Sequence, residues 1–209
     1  MSINNVWIEP DRALVGVDSE GRDDQGRIHQ VSKMLPLPHQ NSVLSGTGTI
    51  PFLNTVWSVC HAAAGDFDRL LKALPELVPF AYKFMLGAAA QYKAPLGPTP
   101  EKQSCIACGW SPSRERMVAV GYSQADEAAG FVMTEIPDGA YVQPGIDDRW
   151  RDRLANLPAP NTPEAMGRYA QEQASIVREF VPEIHAGGRF IVATITRNSM
   201  TIAPVCGLS

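Results

Sequence analysis

The order of strand-like and helix-like segments constrains the fold of this chain more than any other feature. Segments with β-branched or alternating apolar residues come in groups: two hairpin-like pairs, then four strands, then a last hairpin. Two regions with apolar residues at helical spacing separate these groups. Runs of antiparallel strands between helix pairs argue against a doubly wound parallel sheet. The order therefore predicts an α+β fold with two packed antiparallel sheets and helix pairs on their outer faces.

The predicted elements are bounded by Gly, Pro, Asn and Asp residues. The predicted strands cover residues 5–8, 13–17, 31–35, 41–45, 104–110, 116–122, 131–136, 140–143, 189–196 and 200–205. The predicted helices cover residues 52–64, 67–74, 76–92, 147–154 and 163–181. Residues 19–30 are predicted as a polar loop, and Pro36 and Pro38 are expected to end the third strand. Pro75 and Pro79 are expected to break or kink the second helical region.

Length and composition are those of one globular domain, which we expect to span residues 1–209. Of the 209 residues, 44% are hydrophobic, which is enough for a sizeable core. The net charge of −4 gives no electrostatic reason to bind nucleic acid or anionic lipid. No apolar run is long enough to span a bilayer, and the N-terminus has no basic and apolar regions typical of a signal peptide. We therefore expect a cytoplasmic or particle-associated protein.

The cysteines indicate neither a disulfide framework nor a metal site. Only four occur in a chain of 209 residues. Cys105 and Cys108 have C-x-x-C spacing, but they fall in a predicted strand, where residues three apart point to opposite faces. No second pair is present to complete a zinc site. We interpret both as small core residues, with a redox motif as the weaker alternative, and we expect no cofactor or metal.

The first twenty residues place a hydroxyl group at the mouth of a predicted sheet. Ser2 precedes the first predicted strand, and Asp18 follows the second. A serine at a mature N-terminus can use its own α-amine as the base that activates its hydroxyl. The alternative is an ordinary surface hairpin with a frayed end.

Two glycines precede the first predicted helix. Residues 46–49 are not a P-loop, because no Gly-Lys-Ser/Thr follows, and they are not a dinucleotide-binding fingerprint. They do offer approachable backbone N–H groups at the start of a helix. Such groups are suited to binding an oxyanion or another anion.

These elements and motifs together resemble the proteasome β-subunit and its bacterial relatives of the HslV type, over about residues 2–205. The family consists of N-terminal nucleophile hydrolases, so the resemblance implies their four-layer αββα sandwich. Counting back from Asp18, which matches the acid after the family's second strand, places the nucleophile at Ser2. Lys33 is the candidate for the lysine that lowers the nucleophile's pKa, one residue earlier than ungapped counting expects. Gly48 matches the glycine whose N–H forms the oxyanion hole.

The chain also departs from the family pattern. The family's last helix ends in an acid, two further residues, a serine and a glycine pair. Here Glu183 takes the place of the acid, which is an aspartate in the family, and Ala186 takes the place of the serine. The serine expected in the turn before the last helix pair is not evident at residues 144–146. Two supporting hydroxyls of the family are therefore missing.

The resemblance leaves two functions open. In an active peptidase or amidase, Ser2 would be the nucleophile after removal of Met1, and its α-amine would be the base. Lys33, held by Asp18, would lower the local pKa. Gly48 would stabilise the oxyanion. The substrate would then be a peptide or another amide.

The other function is structural, and the sequence slightly favours it. Ser2 behind a retained Met1 has no free α-amine, and Ala186 lacks a supporting hydroxyl. A chain can keep a fold for assembly without keeping activity. The family forms rings, which implies a homo- or hetero-oligomer here, including a component of a virion or tail. An unrelated α+β binding domain is a third alternative.

Overall fold

The described part of the chain contains twelve strands, four α-helices and one short 3-10 helix. In this computed structural model the described residues are 2–23, 25–63, 65–96, 102–124, 130–143, 148–180 and 186–208. The strands are β1 (Asn4–Ile8), β2 (Arg12–Asp18), β3 (Glu20–Arg22), β4 (Ile28–Gln30), β5 (Met34–Leu37), β6 (Ser42–Thr47), β7 (Ser104–Ser111), β8 (Arg116–Gln124), β9 (Phe131–Ile136), β10 (Gly139–Gln143), β11 (Gly188–Thr196) and β12 (Met200–Leu208). The helices are α1 (Ile50–Ala62), α2 (Phe67–Tyr92), α3 (Asp148–Ala155) and α4 (Pro163–Phe180), with the 3-10 helix at Pro38–Gln40.

Ten of these strands form two five-stranded antiparallel sheets. The first sheet has the strand order β10-β1-β2-β11-β12, and the second has the order β5-β6-β7-β8-β9. Strands β3 and β4 form a separate two-stranded hairpin. The predicted combination of antiparallel sheets with helices is therefore present. Among the described residues, no helix is both long and apolar enough to cross a membrane.

Four groups of buried apolar side chains occur in the described part of the chain, and three of them involve the five-stranded sheets. The first lies between the second sheet and helices α1 and α2, and it includes Phe52 and Val120. The second lies between the two sheets and includes Val15 of the first sheet and Ile106 of the second. The third lies between the first sheet and α4, which contributes Met166. These groups form the core of the described residues, to which both antiparallel sheets and the helices contribute.

Strand β7 shows how the sequence pattern follows from this packing. Cys105 packs among the side chains between the second sheet and the helices, whereas Cys108 packs between the two sheets. Both thiols are free and buried. The prediction that these cysteines are small core residues on opposite faces of one strand is confirmed.

One end of the sheet pair is tied together by hydrogen bonds. The backbone N–H of Met117 donates to the carbonyl oxygen of Pro10 at 2.9 Å. The side-chain amide of Asn41 donates to the carbonyl oxygens of Thr196 and Arg197 at 2.7 and 2.9 Å. Strand β1 begins and strand β6 ends at the opposite end, which we call the open end. The open end holds the candidate site.

The prediction of a loop over residues 19–30 is wrong, because β3 and β4 lie inside it. The turn between them is organised by Asp23, whose carboxylate accepts the backbone N–H groups of Gln25 and Arg27 at 3.0 and 2.8 Å. Polar composition hid this hairpin, because its pairing depends on a side-chain cap rather than on alternating apolar residues.

Proline interrupts fewer elements than the sequence predicted. Pro36 lies inside β5, which tolerates it because β5 is an edge strand. Helix α2 is continuous although it contains Pro75 and Pro79. An interior proline costs a helix about 3 kcal/mol. Packing of one helix face on the second sheet offsets that cost, through the buried residues Phe67, Leu70, Leu74, Val78, Ala81 and Met85.

Candidate active site

A buried lysine joins the two N-terminal side chains that the sequence singled out. Lys33 Nζ lies 2.8 Å from Ser2 Oγ and 2.8 Å from Asp18 Oδ2. The Asp18 side chain is fully buried, and Ser2 and Lys33 expose only 7% and 5% of their surface. The structure therefore brings these three predicted residues into one hydrogen-bonded group.

Strand pairing sets the position of Ser2 relative to Asp18. The backbone N–H of Ile3 donates to Asp18 Oδ1 at 2.9 Å, and the N–H of Asp18 donates to the carbonyl oxygen of Ile3 at 3.2 Å. These bonds extend the β1–β2 pairing, in which Asn4 lies opposite Val17. Ser2 is thus held in place by its neighbour Ile3, whose backbone N–H is hydrogen-bonded to the Asp18 carboxylate.

Lys33 reaches the group from the other sheet. It directly precedes β5, the edge strand of the second sheet, whereas Asp18 ends β2 of the first sheet and Ser2 lies just before β1. The ion pair between Lys33 and Asp18 therefore bridges the two sheets at the open end. A shift of one sheet against the other would separate the lysine from the serine.

Burial and charge act in opposite directions on Asp18. Burial raises the pKa of its carboxyl above the usual value for aspartate, and the positive charge of Lys33 lowers it in part. The N–H groups of Ile3 and Gly187 also hydrogen-bond to the carboxylate. A fully buried carboxylate requires such partners. The lysine, held in this way, places a positive charge next to Ser2 Oγ, which favours the alkoxide form of the serine.

Gly48 forms the turn between β6 and α1. Its φ of +115° is one that residues with a side chain rarely adopt, and it is exposed at the open end. A Cβ atom at this position would lie 2.4 Å from Gln103 Oε1. The backbone N–H of Thr49 donates to the same oxygen at 2.8 Å. The turn thus requires glycine, and a buried glutamine holds it.

A hydrogen bond between the sheets brings Gly48 and Ser2 to the same end. Ser45 Oγ donates to Asn4 Oδ1 at 3.1 Å and joins β6 to β1. Gly48 follows Ser45 by three residues, and Ser2 precedes Asn4 by two. Both therefore lie beyond this hydrogen bond, at the open end.

Two polar side chains in the site region were missed by the sequence reasoning. Gln103 is 1% exposed and holds the turn that contains Gly48. Ser19 hydrogen-bonds Gln30 and accepts the backbone N–H of Arg189 at 2.8 Å, so it joins the ends of β2, β4 and β11. The contact of Gln103 with Thr49 spans 54 residues, and that of Ser19 with Arg189 spans 170, so no local motif reports either of them. The sequence signal for Ser19 is its place directly after Asp18, since the two resemble the Asp-Ser pair at the end of the family's second strand.

The remaining site predictions fall largely outside the described residues. Glu183, Met1 and residues 144–146 all belong to the undescribed part of the chain. Ala186 is described, and it is buried between α4 and the first sheet. Within the described ranges, no group of three or more His, Cys, Asp or Glu residues is arranged to hold a metal ion.

Comparisons with known proteins bear on the fold. No protein-family model matches the chain, and no curated protein matches its sequence. Among solved structures, it is similar to the Anbu (Gly-1) mutant from Hyphomicrobium sp. strain MC1, with a TM-score of 0.67 over 98% of this chain and 87% of that chain. This neighbour has a proteasome-like N-terminal nucleophile fold. The chain has a proteasome-like fold. The two sequences are only 10% identical, so the similarity concerns the fold alone.

Proposed function

We propose that this chain is an N-terminal serine hydrolase of proteasome-like fold, which cleaves amide bonds in peptides or related compounds after removal of Met1. The observation that carries the proposal is the position of Lys33 Nζ, 2.8 Å from both Ser2 Oγ and Asp18 Oδ2. Lys33 thus places its ammonium beside the hydroxyl of the proposed nucleophile, where its positive charge acts on the serine oxygen. The sequence slightly favoured a structural role, and this geometry favours the active one.

In the proposed reaction the α-amine of Ser2, free once Met1 is removed, takes the proton of its own hydroxyl. The oxygen attacks the amide carbonyl carbon, and the carbonyl π electrons move to the oxygen. Collapse of this tetrahedral intermediate breaks the C–N bond, and the leaving amine takes the proton from the α-ammonium. Water then hydrolyses the resulting ester by the same route in reverse and restores Ser2. The charge of Lys33 stabilises the serine oxygen when it is negative.

Gly48 is the proposed oxyanion donor. It lies at the open end, directly before α1, and its positive φ gives its peptide group an orientation that few other residues allow. Gln103 occupies the N–H of Thr49, which leaves that group unavailable to a substrate. Glu183 is proposed to support the α-amine, as the acid at the end of the family's last helix.

We further propose that residues 1–209 form one domain with the four-layer αββα arrangement, and that the domain assembles into a ring or larger oligomer. The three buried apolar groups support the layers, since each lies between two adjacent ones. Intracellular or particle-associated localisation belongs to the same proposal. A structural subunit of a ring or particle would share the fold and the assembly, but its Ser2 would be inert.

Amide hydrolysis tests the proposed function. The chain is prepared with Ser2 as its first residue and assayed against fluorogenic peptide amides with acidic, basic and apolar residues before the scissile bond. We expect Ser2→Ala and Lys33→Met each to lower kcat/KM by at least about 100-fold, the scale of a lost acid–base group. A matched form that retains Met1 should be equally inactive. Equal rates for the Ser2-starting chain and Ser2→Ala would contradict the proposal.

A further inference from the structure

Helix α2 carries a pair of exposed aromatic side chains that lie outside the buried core of the protein. Phe80 and Phe84 expose 55% and 59% of their surface. Their ring centroids lie 6.2 Å apart, so the two rings form one continuous apolar patch. Large apolar side chains that are exposed together on one helix face mark a contact surface more often than scattered ones do.

The aromatic pair belongs to a longer stripe with coiled-coil spacing. Successive stripe residues are separated by alternating steps of four and three, and they are Ala73, Leu77, Phe80, Phe84, Gly87 and Gln91. This is the spacing of a and d positions in a heptad. All of them are exposed or half-buried, and the fully buried residues of α2 are others. Leu77 also packs in part against the core beneath α2, so the seam lies at the edge of that core. A Cβ atom at Gly87 would meet nothing within 4 Å. The stripe is therefore an open seam suited to a second helix.

Two opposite charges flank this seam on the same side. In this heptad Leu77 and Phe84 occupy a positions. Glu76 precedes Leu77, and Lys83 precedes Phe84, so both charged residues occupy g positions. Both side chains are exposed. Neither forms an ion pair with another residue in the described part of the chain. The charges are therefore free to pair with an approaching helix.

We propose that the α2 seam binds the α2 seam of a second copy of this chain, with the two helices antiparallel across a two-fold axis. In an antiparallel pair the same flank of each helix meets its counterpart. Glu76 then faces the partner's Lys83, and Lys83 faces the partner's Glu76. A surface that is complementary to itself in this way fits a two-fold contact between identical chains.

The register set by these charges also fits the sizes of the apolar residues. It places Leu77 opposite the partner's Phe80, and Phe84 opposite the partner's Ala73. The large ring thus meets a small side chain at both ends of the contact. In a parallel pair the two flanks would not match, since Glu76 and Lys83 lie on one side and buried Ala81 lies on the other.

The proposed contact buries little surface, so high protein concentrations are needed to detect it. A phenylalanine buries about 200 Å², so the exposed halves of two rings from each copy contribute roughly 450 Å². Stable interfaces bury about 1,200 Å² or more. The α2 contact is therefore weak by itself, with dissociation expected at about 10 µM or above, and it would add to any other contact within a larger assembly. It is independent of the chemistry at Ser2.

Charge exchange tests the contact and its orientation. Sedimentation velocity from about 10 µM to about 1 mM protein is expected to show concentration-dependent association of the unchanged chain, either as a dimer or as pairs of any larger assembly that it forms. Glu76→Lys or Lys83→Glu alone creates two repulsive pairs and should weaken association by about 10-fold. The double variant E76K/K83E restores both pairs and should recover association. An equimolar mixture of the two single variants should form a mixed dimer more readily than either forms its own.

Aromatic substitutions provide the matched control. Phe84→Ala removes half of the seam's aromatic area and should also weaken association by about 10-fold. Tyr92→Ala removes a side chain of the same helix that is 74% exposed but lies off the seam, and it should have no effect. A chain that stays monomeric up to 1 mM would overturn the proposal. A double variant that fails to recover, with native circular dichroism, would overturn the antiparallel register.

Discussion

Substitution of Lys33 by methionine tests the electrostatic basis of the site. Methionine has a similar length and fills the same volume, so it removes the charge with little change in packing. Asp18, which is fully buried, then loses the cation that lies 2.8 Å away. It keeps the N–H groups of Ile3 and Gly187. The variant therefore leaves a buried carboxylate only partly compensated.

The expected loss of stability is about 3 kcal/mol at pH 7. Breaking a buried pair by removing one partner costs about 3–5 kcal/mol, and the two remaining N–H donors place this case at the lower end. With an m-value of about 2 kcal/mol/M, the urea midpoint should fall by about 1.5 M. Ser2→Ala removes only one hydrogen bond from Lys33 and should cost about 1 kcal/mol.

The pH dependence of this loss has a definite sign. Burial raises the pKa of Asp18 in the folded protein above its value in the unfolded chain. Removing Lys33 raises that pKa further, so the folded variant binds the proton more tightly than its unfolded state does. The deficit of Lys33→Met is therefore greatest above the raised pKa, and it shrinks as pH falls toward the ordinary aspartate value.

Urea unfolding at several pH values, followed by circular dichroism, measures these effects. The double variant Asp18→Asn/Lys33→Met should be more stable than the sum of the two single losses predicts, by about 1 kcal/mol or more. A loss below about 1 kcal/mol for Lys33→Met at pH 7, or a loss that does not change with pH, would refute the reasoning.

Two further predictions concern the core. A Cβ atom at Gly46 would lie 2.3 Å from a backbone oxygen of β7, whereas at Gly121 its nearest contacts are at 3.9 Å. Gly46→Ala should therefore destabilise the protein by about 2 kcal/mol or more, and Gly121→Ala by less than about 0.5 kcal/mol, as measured by thermal unfolding. Burial raises the pKa of the Cys60 and Cys108 thiols to about 12, and Cys206 is only half-buried. Iodoacetamide at pH 8 should therefore alkylate Cys206 first, as measured by peptide mass spectrometry. Equally fast alkylation of Cys60 in the folded protein would contradict this prediction.

Local patterns in the sequence were sufficient for most elements of this fold. Residues 131–136 were predicted as a strand and form β9 without any shift. Asp66 and Thr162 carry helix-start signals, and their side chains accept the N–H groups of Arg69 and Ala165 at 3.1 Å each. Such signals lie within a few residues of the element that they control. These signals predict their elements correctly because the prediction does not depend on a distant contact.

The contact among the three residues at the centre of the proposed site could also be predicted from sequence, through strand register for Ser2 and Asp18 and through the family resemblance for Lys33. One short hairpin separates Ser2 from Asp18, so the spacing between them is nearly fixed. Lys33 lies one residue from the position that ungapped counting expects. The chain between Asp18 and Lys33 includes the β3–β4 hairpin, whose length the strand pairing does not fix.

The support of the site could not be predicted from sequence. The hydrogen bond between Gln103 and Thr49 joins residues on either side of α1 and α2, and its geometry depends on how the helices pack. The continuity of α2 through two prolines depends likewise on burial against the second sheet. In both cases a tertiary contact decides the outcome, and local propensity has no information about it.

Covalent labelling of Ser2 tests the proposed function most directly. The chain that begins at Ser2 is treated with a β-lactone probe, and tandem mass spectrometry locates the adduct. We predict one acyl group per chain on Ser2, and no adduct in Lys33→Met or in the form that retains Met1. An unlabelled Ser2 in a folded chain with a free N-terminal amine would contradict the assignment of this site as a nucleophile.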